Sequence, residues 1–253
     1  MKVQSLLKDG ISYIQENNVY HFIKNDTERP MWSQALDASY VHTSSVLPMA
    51  EHYEKHNRNI DNNELMIEFF KYITEQGGVI VDVASGPSGY FFPVFSFMAN
   101  NSTFIATDAS KTVVQAHHAA NNDSRFVIFD IDLDKGLPFK DESIDTFSAN
   151  LLSNVDDYNN ILSEISRSLK SGGRFAVIET FFENGTETYH FLKSQNAVFS
   201  SLDEYINVCK EKGLRYIGSR VRKEIVGKIS EGDLLPIGER DKCLETIVFF
   251  EKE

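Results

Sequence analysis

The sequence predicts an α/β fold in which helices cover both faces of an open, mostly parallel sheet. From about residue 80 onward, short β-rich segments alternate with helical ones, which is the rhythm of βαβ units. Residues 79–83, VIVDV, are nearly all β-branched, as expected for a strand that is buried on both faces. The last two predicted strands, 214–226 and 245–251, have only a turn-rich connection between them. We therefore expect them to be antiparallel neighbours.

The remaining elements follow from local patterns along the chain. Helical segments are expected at 92–99, 111–120 and 158–170, between β-rich segments at 103–108, 125–132, 143–150 and 174–182. In the segment 158–170, apolar residues recur at helical spacing and a Gly-Gly pair follows as a stop signal. Residues 1–76 look mostly helical, and the amphipathic stretch 64–73 is the clearest helix among them. The predicted division is a helical N-terminal extension, residues 1–76, and an α/β domain, residues 77–253.

The composition excludes several classes of partner. The 253 residues carry a formal net charge of −12, whereas a protein that grips a nucleic acid backbone needs clustered Lys and Arg. Cys209 and Cys243 are far apart and lack a metal-binding spacing, so we expect no disulfide, no metal and a cytoplasmic location. The most apolar stretch, 90–99, is about half of a membrane span. His117 and His118 are expected at the surface.

The loop after the first central strand has the composition of a ligand-binding loop. Residues 84–90, ASGPSGY, follow a strand that contains Asp82, and their small side chains would let a ligand approach the main chain. Asp108 ends the next strand, where a carboxylate typically accepts hydrogen bonds from the hydroxyl groups of a ribose. The alternative role of Asp108 is to cap the helix that starts near Lys111, although Ser110 is at least as good a cap.

Two kinds of nucleotide-like ligand are compatible with this loop. Ala84, Gly86 and Gly89 have the spacing of a dinucleotide fingerprint, with Asp108 about 20 residues further on. A fingerprint for pyrophosphate does not need the carboxylate of Asp82, whereas a ligand with positive charge would be attracted to it. The loop alone leaves both ligands open.

Together with the segments downstream, the loop resembles the class I methyltransferases that use S-adenosylmethionine. Their first motif is an acid followed by GxGxG, which stands here as Asp82 and residues 84–88, with Ala84 and Ser88 in place of two glycines. The segment 137–145, LPFKDESID, resembles the family's LPF turn and fourth strand, and 168–179, SLKSGGRFAVIE, its fifth strand. The resemblance implies a Rossmann-like sheet with an antiparallel last strand.

The resemblance also implies which residues would hold S-adenosylmethionine and its product, S-adenosylhomocysteine. The expected cofactor-binding residues are Asp82, Ala84, Ser85, Gly86, Gly89, Asp108, Ala109, Asp130, Ile131, Asp132, Asn150 and Leu151. In the family an acid after the third strand holds the adenine amino group; Asp130 and Asp132 both qualify, and Asp132 fits the spacing better. At Ala84 we expect a backbone conformation that tolerates alanine, because a positive φ angle there would cost about 1 to 2 kcal/mol.

The acceptor pocket is expected between the sheet edge and the N-terminal extension. The candidate lining residues are Tyr20, Trp32, Tyr40 and His42 from the extension and Phe181 after the fifth strand, and His42 is the candidate catalytic base. The alternative is that these side chains only pack the extension onto the sheet.

Three functions remain open from the sequence. The leading one is methyl transfer from S-adenosylmethionine to a small-molecule acceptor by in-line displacement, in which positioning would supply most of the rate. The sequence NLLS at 150–153 differs from the NPPY-type signature and, like the acidic charge, argues against a nucleic acid acceptor. The alternatives are a methyltransferase-like binding or scaffold protein, which Ala84 and Ser88 keep open, and an NAD(P)-dependent oxidoreductase, against which the LPF segment argues.

Overall fold

The computed structural model describes residues 3–43, 63–86, 92–121, 123–228 and 235–253, which contain a nine-stranded sheet in the order β1-β2-β5-β4-β3-β6-β7-β9-β8. The strands are β1 (Ile14–Glu16), β2 (Val19–His21), β3 (Val79–Val83), β4 (Thr103–Asp108), β5 (Phe126–Asp130), β6 (Ile144–Asn150), β7 (Leu169–Phe182), β8 (Leu214–Val226) and β9 (Lys242–Lys252). The α-helices are α1 (Met31–Thr43), α2 (Glu64–Thr74), α3 (Lys111–Ala120), α4 (Tyr158–Ser168), α5 (Glu187–Ser194) and α6 (Leu202–Glu211).

The centre of the sheet is parallel, as the sequence predicts. Strand β3 lies between β4 and β6, and both of these pairs are parallel, as are β4 with β5 and β6 with β7. Strand β9 then runs antiparallel between β7 and β8. The predicted fold class is therefore confirmed. Because parallel strands run in one direction, β3, β4, β5 and β6 all end at the same edge of the sheet.

Two apolar layers cover opposite faces of the sheet. Val79, Val81 and Val83 of β3 pack into the layer that contains α4 and α6, whereas Ile80 packs into the layer that contains α2. This alternation is expected because successive side chains of a strand point to opposite faces. Burial on both faces explains why the sequence of β3 is a continuous apolar run, interrupted only by Asp82.

The beginning of the N-terminal extension is not helical, which corrects the expectation from sequence. Strands β1 and β2 form a hairpin, and β2 continues the sheet by pairing in parallel with β5. Tyr20 packs its ring against those of Tyr13 and Phe129, with centroid distances of 5.3 and 5.4 Å. Each strand has three residues, which is too short for a recognisable alternation; pairing with β5 decides the conformation. Helices α1 and α2 do form in this region.

His117 is buried on α3, so the prediction that it lies at the surface is wrong. Its side chain faces the sheet and packs edge-on against Phe126, with a centroid distance of 6.4 Å. Burial lowers the pKa of His117 to about 4, so its imidazole is neutral near pH 7. The segment 92–99 also differs from expectation, because it contains only the short 3₁₀-helix Phe92–Ser96.

Cys209 and Cys243 are buried free thiols. Among the residues that the structure describes, no group of His, Cys, Asp and Glu could hold a metal ion. None of the described helices has the length and apolar content that a membrane crossing requires.

Candidate cofactor-binding site

Three aspartates lie at the C-terminal ends of neighbouring parallel strands. Asp82 is the fourth residue of β3 and is paired in register with Ala106 of β4. Asp108 and Asp130 end β4 and β5 and are paired with each other. All three are buried. Ligands of open α/β sheets bind outside this edge of the sheet, so these carboxyl groups define the candidate site.

The Asp82 carboxyl group is held by a neutral donor. The Ser148 hydroxyl of β6 donates to Asp82 Oδ1 at 2.6 Å. Burial raises the pKa of Asp82 to about 7, and the hydroxyl groups of Ser148 and Ser85 partly oppose this rise. A positively charged ligand nearby would stabilise the ionised carboxylate and lower this pKa.

Ala84 adopts a left-handed backbone conformation, so the expectation of a conformation that tolerates alanine is wrong. Its φ angle is +54°. The reason is the sharp turn that the chain makes as it leaves β3: the Ala84 N–H donates to Thr107 Oγ1 at 3.2 Å, and the Ser85 N–H donates to the Thr107 carbonyl at 2.8 Å. These bonds fix the turn to β4, and alanine is strained in it by about 1 to 2 kcal/mol.

Asp108 ties the loop after β3 to the loop after β4. Its Oδ2 accepts the Gly86 N–H at 2.9 Å and its Oδ1 accepts the Ser110 N–H at 2.8 Å. The cap of α3 is Ser110, whose hydroxyl accepts the Val113 N–H at 3.2 Å. The alternative in which Asp108 caps this helix is therefore excluded. Burial raises the pKa of Asp108 to about 6, although its two backbone donors favour the ionised form.

Asp130 and Asp132 have different surroundings. Asp130 is fully buried, and both of its oxygens accept from the Arg29 guanidinium, at 2.7 and 2.8 Å. His21 Nδ1 lies 2.8 Å from the same carboxylate. Asp132 instead caps the 3₁₀-helix Leu133–Lys135 and forms an ion pair of 3.2 Å with Lys135 at the surface. The carboxylate of Asp132 is the more accessible of the two.

The N-terminal extension forms a wall beside this edge of the sheet. Arg29 also donates to the Ala109 carbonyl at 2.7 Å, next to Asp108. Asp37 of α1 accepts from the Ser110 hydroxyl at 2.6 Å and from the N–H groups of Lys111 and Thr112 at 3.2 and 3.0 Å. The extension is therefore bonded to the start of α3 and to the end of β5, on either side of the loop that carries Ala109.

The loop after β6 borders the other side of the site. Asn150 ends the strand, and Leu151 follows with a φ angle of +60° and its N–H bonded to the Ile178 carbonyl at 2.8 Å. Glu179, the next residue of β7, is fully buried and accepts the Tyr158 hydroxyl at 3.0 Å. A non-glycine residue in the left-handed region is strained, and such residues concentrate at functional sites.

The structure locates the remaining predicted site residues. Tyr20 and Phe181 are core residues; Phe181 packs against Tyr205 with a centroid distance of 5.3 Å. Ser85, Ala109 and Ile131 line the strand ends and are buried. Trp32 is half-buried, and its indole N–H has no hydrogen-bond partner in the described structure. Gly89 and the side chains of Tyr40 and His42 lie outside the described residues.

Sequence reasoning did not find Arg29 and Asp37, and it suggested Glu179 only as a possible pocket wall and not as a buried residue. The Arg29–Asp130 contact spans 101 residues and the Asp37–Ser110 contact spans 73, so neither has a local pattern. The signal available for Glu179 was a carboxylate within an otherwise apolar strand, RFAVIETFF, which is the same signal that singled out Asp82.

The central part of the sequence matches a known protein family. Residues 81–177 match the family model described as "Methyltransferase domain". This segment runs from β3 to β7 and includes Asp82, Asp108 and Asp130. No curated protein matches the sequence significantly.

Solved structures share the fold at low sequence identity. Geranyl diphosphate C-methyltransferase from Streptomyces coelicolor has a TM-score of 0.54 at 16% identity, over 74% of this chain and 76% of that chain. A putative sarcosine dimethylglycine methyltransferase from Galdieria sulphuraria has a TM-score of 0.56 at 14% identity, over 78% and 86%. Phosphoethanolamine N-methyltransferase 2 from Haemonchus contortus has a TM-score of 0.55 at 15% identity, over 75% and 52%.

A mostly parallel sheet with an antiparallel end defines a Rossmann-like fold. The match of residues 81–177 to a methyltransferase domain narrows the class of protein further. Residues 81–177 are therefore a methyltransferase domain, in agreement with the resemblance of the sequence motifs to the class I methyltransferases.

Proposed function

We propose that this protein is an enzyme that transfers the methyl group of S-adenosylmethionine to a small-molecule acceptor. The observation that carries the proposal is the pair of buried carboxyl groups, Asp82 and Asp108, at the C-terminal ends of β3 and β4 inside a methyltransferase domain. Support for the cofactor and for a small acceptor comes from neighbours of the same fold, one of which was solved with geranyl diphosphate and S-adenosylhomocysteine.

The residues of this edge fit a cationic nucleoside. Burial raises the pKa values of Asp82 and Asp108, and the nearest partners that oppose this rise are hydroxyl and backbone N–H groups, which carry no positive charge. A sulfonium ion is attracted to such carboxyl groups, whereas a pyrophosphate is repelled. Among the described residues, a Cβ atom at Gly86 would meet only the Ala84 carbonyl, 3.9 Å away, so these residues leave room for a ligand beside the backbone.

Each residue of the site has a role under this proposal. Asp108 would accept the ribose hydroxyl groups while it holds Gly86, and Asp132 would accept the adenine amino group. Ala109 and Ile131 supply the buried apolar surface that a base packs on. S-adenosylmethionine supplies a methyl group that is already activated by its positively charged sulfur. The protein therefore has to orient the acceptor and exclude water, and a general base is optional.

The acceptor would enter between the loop after β6 and the N-terminal extension. Asn150 and Leu151 border this side of the site, and the half-buried Trp32 supplies an indole N–H that no described group accepts. A buried donor without a partner is costly, and a polar atom of the acceptor would satisfy it. Tyr40 and His42 are further candidates on α1, with His42 as the candidate base. Tyr20 and Phe181 support the pocket from the core.

Binding of S-adenosylmethionine, measured by isothermal titration calorimetry, tests the proposal. We expect saturable binding to the native chain, and at least tenfold weaker binding to Asp108→Ala with an unchanged circular dichroism spectrum. The control is Asp123→Ala, which removes an aspartate at the opposite edge of the sheet, before β5. Absence of heat at millimolar cofactor with folded protein would contradict the enzyme proposal and favour a scaffold, and tight binding of NAD(H) would favour an oxidoreductase.

A further inference from the structure

Asp37 of α1 is a carboxylate that the proposed cofactor contacts do not use. It lies at the N-terminus of α3, where its Oδ1 accepts from the Ser110 hydroxyl at 2.6 Å and from the Thr112 N–H at 3.0 Å. Its Oδ2 accepts the Lys111 N–H at 3.2 Å. The first N–H groups of a helix have no partner within the helix and carry partial positive charge, so they attract a carboxylate. Asp37 supplies that carboxylate from another helix.

The first turn of α3 is shared between two carboxylates. Asp108, at the end of β4, accepts the Ser110 N–H at 2.8 Å, and Ser110 Oγ accepts the Val113 N–H at 3.2 Å. Together with the two N–H groups that Asp37 accepts, all four N–H groups of this turn have a partner. Ser110 bonds to both acids, through its N–H to Asp108 and through its hydroxyl to Asp37. This residue therefore connects α1 to the carboxyl group that we assign to the ribose.

Helix α1 depends on these bonds for its contact with the α/β domain. Met31 is 86% exposed, and Ser33 is the one buried residue among those of α1 whose side chains the structure describes. The side chains of Ser33 and Gln34 donate only to carbonyl groups just before the helix. Among the described residues, Asp37 makes the only side-chain hydrogen bonds from α1 to the α/β domain. A segment that buries few apolar contacts opens at a low cost in free energy.

Two attachment points set the direction of α1. Arg29, two residues before the helix, is bound to Asp130 at the end of β5. Asp37 is the second point, in the middle of the helix. One attachment point leaves the direction of a helix undetermined, whereas a second one sets it. The helix also carries Trp32 and His42, which we assign to the acceptor side of the site.

From these contacts we infer that Asp37 is a positioning residue: it docks α1 on the first turn of α3, and through Ser110 this docking and cofactor binding at Asp108 favour each other. Docking fixes the Ser110 N–H, which orients the Asp108 carboxylate for a ligand. Coupling between two sites is reciprocal, so a ligand that orders Asp108 also favours docking. The effect on the ligand rests on the proposed function, whereas the effect on α1 does not.

Trp32 is the single tryptophan of the chain and lies on α1, so its fluorescence tests the docking. Its indole N–H is inaccessible to solvent in the docked helix, and undocking should expose the ring to the quencher acrylamide. Asp37→Asn removes the negative charge and one acceptor oxygen, so we expect the quenching constant to rise about twofold. The circular dichroism spectrum should stay the same. An unchanged quenching constant in this variant would overturn the inference.

Asp123→Asn is the matched control for this experiment. Asp123 accepts the Arg125 N–H at 2.8 Å, beyond the opposite end of α3, so this variant makes the same change of charge far from α1. We expect it to leave the quenching of Trp32 unchanged. An equal rise in both variants would mean a general loosening of the fold and would contradict the role of Asp37.

Lys111→Pro keeps the inference testable if Asp37→Asn does not fold. Proline is favoured at the first position of a helix, and it lacks the N–H that Asp37 accepts. We expect the quenching of Trp32 to rise while α3 stays intact. Lys111→Met, which keeps the N–H, controls for the loss of the ammonium group and should leave the quenching unchanged. Equal quenching in these two variants would contradict the inference.

Binding of S-adenosylhomocysteine, measured by calorimetry, separates this inference from the proposed function. We expect Asp37→Asn to weaken binding about fivefold. A role confined to stability would lower the urea midpoint of this variant without changing its affinity. If the native protein does not bind this ligand, the proposed function fails, while the quenching result on the unliganded protein stands. If both proteins bind it with equal affinity, the positioning role fails and the proposed function stands.

Discussion

Arg29 and Asp130 form a two-pronged ion pair inside the protein, with nitrogen–oxygen distances of 2.7 and 2.8 Å. The two residues are 101 positions apart. Both side chains are buried, with exposures of 7% and 1%. The pair joins the N-terminal extension to the end of β5. The Asp130 carboxylate therefore has a structural role at the C-terminal edge of the sheet.

Replacing only one of these two side chains should strongly destabilise the fold. We expect Arg29→Met and Asp130→Asn each to lower the free energy of unfolding by about 3 to 5 kcal/mol, because each leaves an unpaired buried group. The double variant should lose much less than the sum, since neither partner is then left unpaired. Urea unfolding measures all three.

The exposed pair between Lys111 and Asp26, 3.0 Å long, is the control. Lys111→Met should cost less than about 1 kcal/mol. Additive losses in the Arg29 and Asp130 variants would mean that the two side chains do not act as a pair.

Substitutions at Asp130 and Asp132 should change different properties of the protein, the stability of the fold at Asp130 and the affinity for the cofactor at Asp132. We expect Asp132→Ala to weaken S-adenosylmethionine binding by about tenfold, because the carboxylate would lose a hydrogen bond to the adenine amino group. The fold should remain, since Asp132 caps only the short 3₁₀-helix Leu133–Lys135 and pairs with the exposed Lys135. Calorimetry and urea unfolding check the two effects. A loss of affinity in Asp130→Asn at temperatures where it stays folded, but not in Asp132→Ala, would reverse the assignment.

Ala84→Gly should stabilise the protein. Glycine adopts the φ angle of +54° without strain, and its greater freedom in the unfolded chain offsets part of the gain. The expected net increase in the free energy of unfolding is about 0.5 to 1 kcal/mol. Ala176→Gly, in the middle of β7, is the control and should destabilise by about 1 kcal/mol. Loss of stability in Ala84→Gly would show that the turn is not strained by alanine.

Cofactor affinity should rise with pH while the stability of the unliganded protein falls. Folding raises the pKa of Asp82 from 3.8 to about 7 and that of Asp108 to about 6. Between these values the folded state binds more protons than the unfolded state, so the free energy of unfolding contributed by both groups decreases as pH rises. A cationic ligand favours the ionised carboxylates, so its affinity increases over the same window.

Calorimetry and urea unfolding from pH 5 to 8 measure both trends. Asp82→Asn should flatten the affinity profile. His117, whose pKa is lowered to about 4, acts in the opposite direction on stability, because the unfolded state binds its proton first as pH falls. An affinity for S-adenosylmethionine that does not change with pH would argue against ionised Asp82 and Asp108 carboxylates in the cofactor site.

Local patterns determined much of the architecture. The β-branched residues of β3, the helical spacing in α4 and the turn-rich connection before β9 predicted the order and type of these elements, because each pattern lies within one segment. The hairpin of β1 and β2 was missed, since strands of three residues are stabilised by pairing with β5 rather than by their own sequence.

The sequence by itself determined the resemblance to class I methyltransferases and the acidic edge of the sheet, because an acid inside an apolar strand, as at Asp82, is visible without any partner. Only the tertiary structure decided what each acid does. It paired Asp130 with Arg29, tied Asp108 to Gly86 and bonded Glu179 to Tyr158. It also placed Ala84 at a positive φ angle. These outcomes depend on residues far apart in the chain, whose contacts are set by the packing of whole strands and helices rather than by local preference.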